Sequence, residues 1–128
     1  MQSERRNEER QSCNFKVGVF LSQGKNGPSL SPPFWGKLMS ISRQGVGIAL
    51  DAIMFERTHL ALGPMSSDTL QLNIIVSSDD VDTQLTFPVK PVWFDKKSDA
   101  TMPPFRIGLE FLEVLTSEQL RQVKRPLS

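Results

Sequence analysis

The chain has 128 residues, of which 38% are hydrophobic and 23% are charged, so its size and composition are those of one globular domain. Its 15 Lys and Arg residues nearly balance its 14 Asp and Glu residues, which disfavours a nucleic acid polymer as a partner. The lone cysteine, Cys13, excludes an internal disulfide, and together with the single histidine, His59, it disfavours a structural zinc site.

The hydropathy pattern predicts no membrane-spanning segment. No apolar run approaches the roughly 20 residues that a helix needs to cross a bilayer. The N-terminus, MQSERRNEERQS, is polar and charged where a signal peptide has its apolar core. We therefore expect a cytoplasmic protein that does not insert into a membrane.

In the first half of the chain, polar segments alternate with segments rich in β-forming residues. Residues 1–13 have no apolar period and predict a flexible arm. Residues 23–33 are dense in Gly, Pro and Ser, which predicts a loop, and Gln44-Gly45 predicts a tight turn. The strand-like segments of this half are 15–21, 35–41 and 46–50.

In the second half, apolar residues recur at every other position. They are Leu70, Leu72 and Ile74; Leu85, Phe87, Val89 and Trp93; and Phe105, Ile107, Leu109 and Phe111. This period of two is typical of half-buried antiparallel strands, and it predicts Trp93 in the core or the barrel wall. Residues 52–68 have no clear pattern beyond a helical turn and a loop. Near the end, Thr116 and Gln119 predict a capping box for a short helix at 117–124.

Short strands at this spacing predict an all-β barrel or sandwich. The chain has no internal repeat and no interdomain linker. We therefore expect two parts, a flexible arm over residues 1–13 and one β-domain with a C-terminal helix over residues 14–128.

The residues available for catalysis are few. Ser-His-Asp catalysis would require His59, and no nucleophile motif lies near it in FERTHLALG. No GxGxxG or Walker loop is present to hold a phosphate. Asp79, Asp80 and Asp82 suggest a metal site, but their Ser-rich setting is more typical of a turn and lacks the rest of a calcium loop. We therefore expect no enzymatic activity, no metal and no cofactor.

Two short motifs are candidates for ligand binding. Arg6 and Arg10 have an RxxxR spacing just before the first predicted strand, and Arg5 precedes them. Ser42 and Gly45 have an SxxG spacing at a predicted turn between strands. Either motif has a simpler interpretation, because acidic residues are interleaved with the arginines as in a solvated tail, and turns favour Ser and Gly for local reasons.

In their order and setting, these motifs resemble those of the PilZ domain family, which has RxxxR on an N-terminal arm followed by D/N-x-S-x-x-G. Trp93 and Gly108-Leu109-Glu110-Phe111 are similar to the tryptophan and the Gly-hydrophobic-x-Phe segment of the family's later strands. The resemblance covers residues 5 to 123. It implies a six-stranded antiparallel β-barrel with a C-terminal helix, and a non-enzymatic receptor for cyclic di-GMP.

The resemblance also implies roles for the motif residues. Arg6 and Arg10 would grip phosphate and guanine, while Ser42 and Gly45 would shape the guanine site. These roles suit the residue types, because a guanidinium pairs bidentately with phosphate or with guanine O6 and N7, and Gly permits positive φ and a close backbone approach. Arg5 implies that two stacked ligands bind per chain.

Ser40 departs from the family motif, in which Asp or Asn is usual at that position. A Ser hydroxyl accepts one of guanine's two neighbouring Watson–Crick donors, whereas a carboxylate accepts both. We include Ser40 among the expected ligand-binding residues. The resemblance implies that ligand closes the arm over the barrel and creates a surface for an unidentified protein effector in bacterial second-messenger signalling. The alternative is a PilZ-like module that binds protein without nucleotide.

Overall fold

The computed structural model describes residues 15–78, 83–98 and 101–124. Its six long strands are β1 Phe15–Gln23, β2 Phe34–Ile41, β3 Gly45–Leu50, β6 Leu70–Ser78, β7 Thr83–Lys96 and β8 Phe105–Phe111. They form a closed barrel in the order β1-β2-β3-β8-β7-β6, with every neighbouring pair antiparallel. The predicted all-β fold, a six-stranded antiparallel barrel, is confirmed.

The core fills the barrel with the apolar residues that alternate along the strands. Their side chains are almost completely buried, because closing the barrel turns one face of every strand inward. They include Val17, Val19 and Leu21 of β1, Val46, Ile48 and Leu50 of β3, Leu72, Ile74 and Val76 of β6, and Ile107, Leu109 and Phe111 of β8.

One end of the barrel is closed by residues 51–68, the stretch without a clear sequence pattern. It contains a small hairpin, β4 Met54–Phe55 with β5 Thr58–His59, and a single helical turn, α1 Leu62–Ser66. The two core residues Ile53 and Leu60 are joined by a hydrogen bond of 2.8 Å from the amide of Leu60 to the carbonyl of Ile53. The pattern is unclear because only isolated residues of this stretch contact the core.

The other end is closed by Leu115 and the predicted C-terminal helix, α2 Ser117–Lys124. The predicted capping box is confirmed: the amide of Thr116 donates to Oε1 of Gln119 at 2.9 Å, and the amide of Gln119 donates to Oγ1 of Thr116 at 3.0 Å. Leu120 packs against the core. Among the residues that the structure describes, no helix is both long and apolar enough to span a membrane.

Two β-bulges interrupt the barrel wall. In β2 the register with β3 shifts between Leu38 and Ser40, and in β7 the register with β8 shifts between Pro91 and Trp93. The extra residues, Met39 and Val92, are both exposed. A bulge reverses the side to which later residues of its strand point.

The second bulge decides between the two places predicted for Trp93: it belongs to the barrel wall and not to the core. Counted from Val89, which is fully buried, an uninterrupted period of two would point Trp93 inward. The extra residue at Val92 instead places Trp93 opposite Gly108 on the outer face, where 46% of its surface is exposed.

Two predictions about the fold fall on residues outside the described ranges. The predicted arm over 1–13, with its boundary to a β-domain over 14–128, is one of them. The loop with Asp79, Asp80 and Asp82 is the other. Both stay predictions.

Candidate functional site

An open pocket of about 330 Å³ lies on the outer surface of the barrel, beside the turn between β2 and β3. The predicted site residues Ser40, Ser42 and Gly45 all line it. The structure therefore brings together every predicted site residue that it describes. The remaining lining residues are Ile41, Gln44, Val46, Gly47, Val92, Trp93, Gly108, Leu109 and Glu110.

The pocket is built on four strands that cross it in the order β2, β3, β8 and β7. Directly paired residues on their outer face are Ser40 with Gly47, Gly47 with Gly108, and Gly108 with Trp93. Neighbouring strands are about 4.8 Å apart, so at most about 14 Å separates the backbones that carry Ser40 and Trp93. Gly47 leaves open space between the hydroxyl of Ser40 on one side and the indole of Trp93, which lies over Gly108, on the other.

The indole of Trp93 lies across Gly108. A Cβ at position 108 would overlap Nε1 and Cε2 of Trp93 and would lie 2.6 Å from Cδ1. Only glycine therefore leaves room for the indole in this position. Because about half of Trp93 stays exposed beside the pocket, it offers an aromatic surface to a planar ligand.

The turn between β2 and β3 is held by Ser42. Its Oγ accepts hydrogen bonds from the amides of Gln44 at 3.2 Å and Gly45 at 3.4 Å, and donates to Oε1 of Gln44 at 3.3 Å. Its own amide donates to the carbonyl of Gly45 at 2.9 Å. Ser42 thus has the local turn role that its residue type favours, on a rim exposed to solvent.

Gly45 lies close to the backbone of β8. A Cβ at this position would overlap the carbonyl oxygen of Leu109. The positive φ that glycine permits is used at Gly24 in the described part of the chain, and not at Gly45. Gly45 is an ordinary strand residue whose neighbour β8 leaves no space for a side chain.

Arg43, within the same turn, connects the pocket rim to the start of α2. Its Nε donates to the carbonyl of Leu115 at 2.8 Å, and the amide of Leu115 donates to the carbonyl of Arg43 at 2.9 Å. The carbonyl of Gln44 accepts from the amide of Phe111 at 2.8 Å. These bonds fix the turn against β8 and against the buried Leu115.

Glu110 is the charged residue that lines the pocket. It lies directly across from Gly45 on β8 and pairs on its other side with Lys90 of β7, at an Nζ–Oε1 distance of 3.5 Å. Both side chains are more than half exposed, so this ion pair contributes little to stability.

His59 takes no part in this pocket. Its Nδ1 accepts hydrogen bonds from the amides of Ala61 at 3.1 Å and Leu62 at 3.0 Å, at the start of α1. Its ring lies 4.7 Å from that of Phe94, centroid to centroid. Burial lowers the pKa of His59 below its usual 6.5, and the accepting Nδ1 also requires the neutral ring.

Sequence reasoning missed Trp93, Gly47 and Glu110 as pocket residues. The prediction for the three arginines is not tested by the structure. Arg5, Arg6 and Arg10 lie outside the described residues. The signal for Glu110 was its place in the Gly-hydrophobic-x-Phe segment, where its outward position follows from the buried Leu109 and Phe111.

The chain thus belongs to the class of small closed β-barrels with an open pocket on the outer face. A family model, PilZ domain, matches residues 4–127 of the chain. The chain belongs to the PilZ domain family, a family of cyclic di-GMP receptor domains. Comparison with curated proteins finds no match.

Proposed function

We propose that this protein is a cytoplasmic, non-enzymatic receptor for cyclic di-GMP, and that the ligand binds in the outer pocket beside the β2–β3 turn. The observation that carries the proposal is the convergence of Ser40, Ser42 and Gly45 on one pocket in a chain of this family. The ligand has two phosphates and two guanines, so it needs cationic groups, polar groups and flat apolar surface.

The pocket supplies the polar groups and the flat apolar surface. Trp93 offers an indole face on which a guanine can stack, and such stacking contributes about 1–3 kcal/mol per base. Ser40 and Ser42 offer hydroxyl groups on the opposite side. Gly47 leaves the space between Ser40 and the indole open to the edge of a base.

The cationic groups come from the arm. The pocket itself is lined by one charged residue, Glu110, which is acidic, so the lining does not neutralise a dianion. Arg6 and Arg10 are the residues proposed to do so, with guanidinium groups that form bidentate pairs with phosphate or with guanine O6 and N7. Arg5 adds a third guanidinium and favours a second, stacked ligand.

Ligand binding then creates a surface for a protein effector. The arm of residues 1–13 closes over the pocket when its arginines bind the ligand, and the ordering cost is offset by charge-assisted contacts. The arm and ligand together present a new surface to a protein effector. This mechanism needs no catalytic group and no metal.

Calorimetry with cyclic di-GMP tests the function directly, with GTP and cyclic di-AMP as control ligands. We expect heat with cyclic di-GMP and little with the controls. If tens of micromolar cyclic di-GMP gives no heat, the nucleotide-independent protein-interaction module becomes the better explanation.

A further inference from the structure

The pocket proposed for a ligand with two negative charges is itself acidic. Glu110 is the charged member of its lining, and the other lining residues are apolar, hydroxyl, amide or glycine. A carboxylate repels the phosphates of such a ligand but accepts hydrogen bonds, so within this pocket it suits a part of the ligand that donates them.

Guanine provides that partner. Its Watson–Crick edge presents two neighbouring donors, the N1–H and the 2-amino group, while its other edge presents the acceptors O6 and N7. An ionised carboxylate has two oxygens and only accepts, so it matches the donor edge with two parallel hydrogen bonds. Adenine lacks this pair of donors on its Watson–Crick edge.

Other polar groups of the lining are less suited to that edge. The hydroxyl of Ser40 accepts at most one of the two donors well. Ser42 and Gln44 are already engaged with one another, since Oγ of Ser42 donates to Oε1 of Gln44. Glu110 is more than half exposed and belongs to rigid strand backbone between β3 and β7.

We propose that Glu110 is the specificity-determining residue of the pocket and binds the N1–H and 2-amino donors of a guanine. This inference rests on the proposed cyclic di-GMP function and deepens it. The base lies over Gly47, between Trp93 and Ser40, with its donor edge toward Glu110 of β8. Lys90 lies on the far side of Glu110 in a solvent-exposed ion pair, which is too weak to fix the carboxylate.

The test compares the parent chain with Glu110→Gln, using cyclic di-GMP and cyclic di-IMP, which lacks the 2-amino group. Gln is nearly the same size but places an amide donor where the second acceptor was. We expect cyclic di-GMP to bind Glu110→Gln about tenfold or more weakly than the parent. The parent should prefer cyclic di-GMP over cyclic di-IMP, and this preference should largely disappear in Glu110→Gln.

Lys90→Met is the matched control, because it breaks the same ion pair and leaves the carboxylate in place. The affinity of Lys90→Met for cyclic di-GMP should stay within about twofold of that of the parent. A loss in Lys90→Met equal to that in Glu110→Gln would assign the effect to the ion pair and overturn the proposal. Unchanged or tighter binding by Glu110→Gln would overturn it too, and would leave the receptor function intact. A parent that binds no cyclic di-GMP overturns both.

Discussion

The indole of Trp93 occupies the space above Gly108, its direct partner across β7 and β8. Both residues are needed to form this side of the pocket. The indole fits only beside a residue without a side chain, and it covers the backbone that Gly108 would otherwise leave exposed. The arrangement depends on the bulge at Val92, which turns Trp93 outward.

Gly108→Ala should therefore displace Trp93. The added methyl overlaps ring atoms of the indole and destabilises the fold by about 1–3 kcal/mol. Tryptophan emission in a Trp35→Phe background, where Trp93 is the remaining tryptophan, reports the movement. Adding Trp93→Ala should recover most of the lost stability in urea unfolding. An unchanged emission spectrum and unchanged stability would contradict the packing described here.

Removal of either motif arginine should weaken ligand binding without unfolding the barrel. Arg6→Ala and Arg10→Ala should each bind cyclic di-GMP at least tenfold more weakly, since a charge-assisted contact contributes about 1.5–3 kcal/mol. Arg57→Ala, at the exposed turn between β4 and β5, is the control and should match the parent. If both arm variants also match the parent in calorimetry, the arginines belong to a solvated tail.

The number of ligands per chain should depend on Arg5. Arg5 directly precedes Arg6 in sequence, and its guanidinium is expected to hold a second guanine stacked on the first. Calorimetry of the parent should give two ligands per chain, and Arg5→Leu should move the value toward one. A clean one-to-one isotherm for the parent excludes the stacked pair.

Stability should fall in mild acid because of His59. Its pKa in the folded protein is lower than the unfolded value near 6.5, so the folded state favours the neutral ring. The neutral ring of His59 therefore contributes fully to the free energy of unfolding above pH 6.5. This contribution is lost as the pH falls through the pKa of the folded state. Urea unfolding at about pH 7.5 and pH 5 should show a smaller decrease for His59→Gln than for the parent. Equal decreases would show that other groups cause the acid dependence.

The strands and the C-terminal helix were predictable because their signals are local. The alternation of Phe105, Ile107, Leu109 and Phe111 follows directly from burying one face of a strand, and β8 has these same bounds. The capping box at Thr116 likewise involves neighbours in sequence.

The pocket was only partly predictable because it joins strands that are distant in sequence. Ser40 on β2 faces Trp93 on β7 only because β3 and β8 pair between them. The bulge at Val92 is marked in the sequence only by Pro91 directly before it, since proline inside a sheet is confined to strand starts, edges and bulges. A period of two counted from Val89 without that bulge points Trp93 inward. In the sequence, Glu110 is an ordinary outward-facing charge on a half-buried strand. Its place in the pocket follows only from the pairing of β8 with β3 and β7.

The seam between β1 and β2 is short. Among the described residues, β1 and β2 pair through Val17–Val19, whereas β1 pairs with β6 along all of Phe15–Gln23. Local opening begins where backbone hydrogen bonds are fewest, so amide exchange should reveal this seam as the first place where the barrel loosens. The arginine motif precedes β1 and the pocket begins at the end of β2, so a ligand bound by both would bridge the seam. Such a ligand would suppress this opening in proportion to its occupancy, and the barrel would become mechanically tighter when the messenger is abundant.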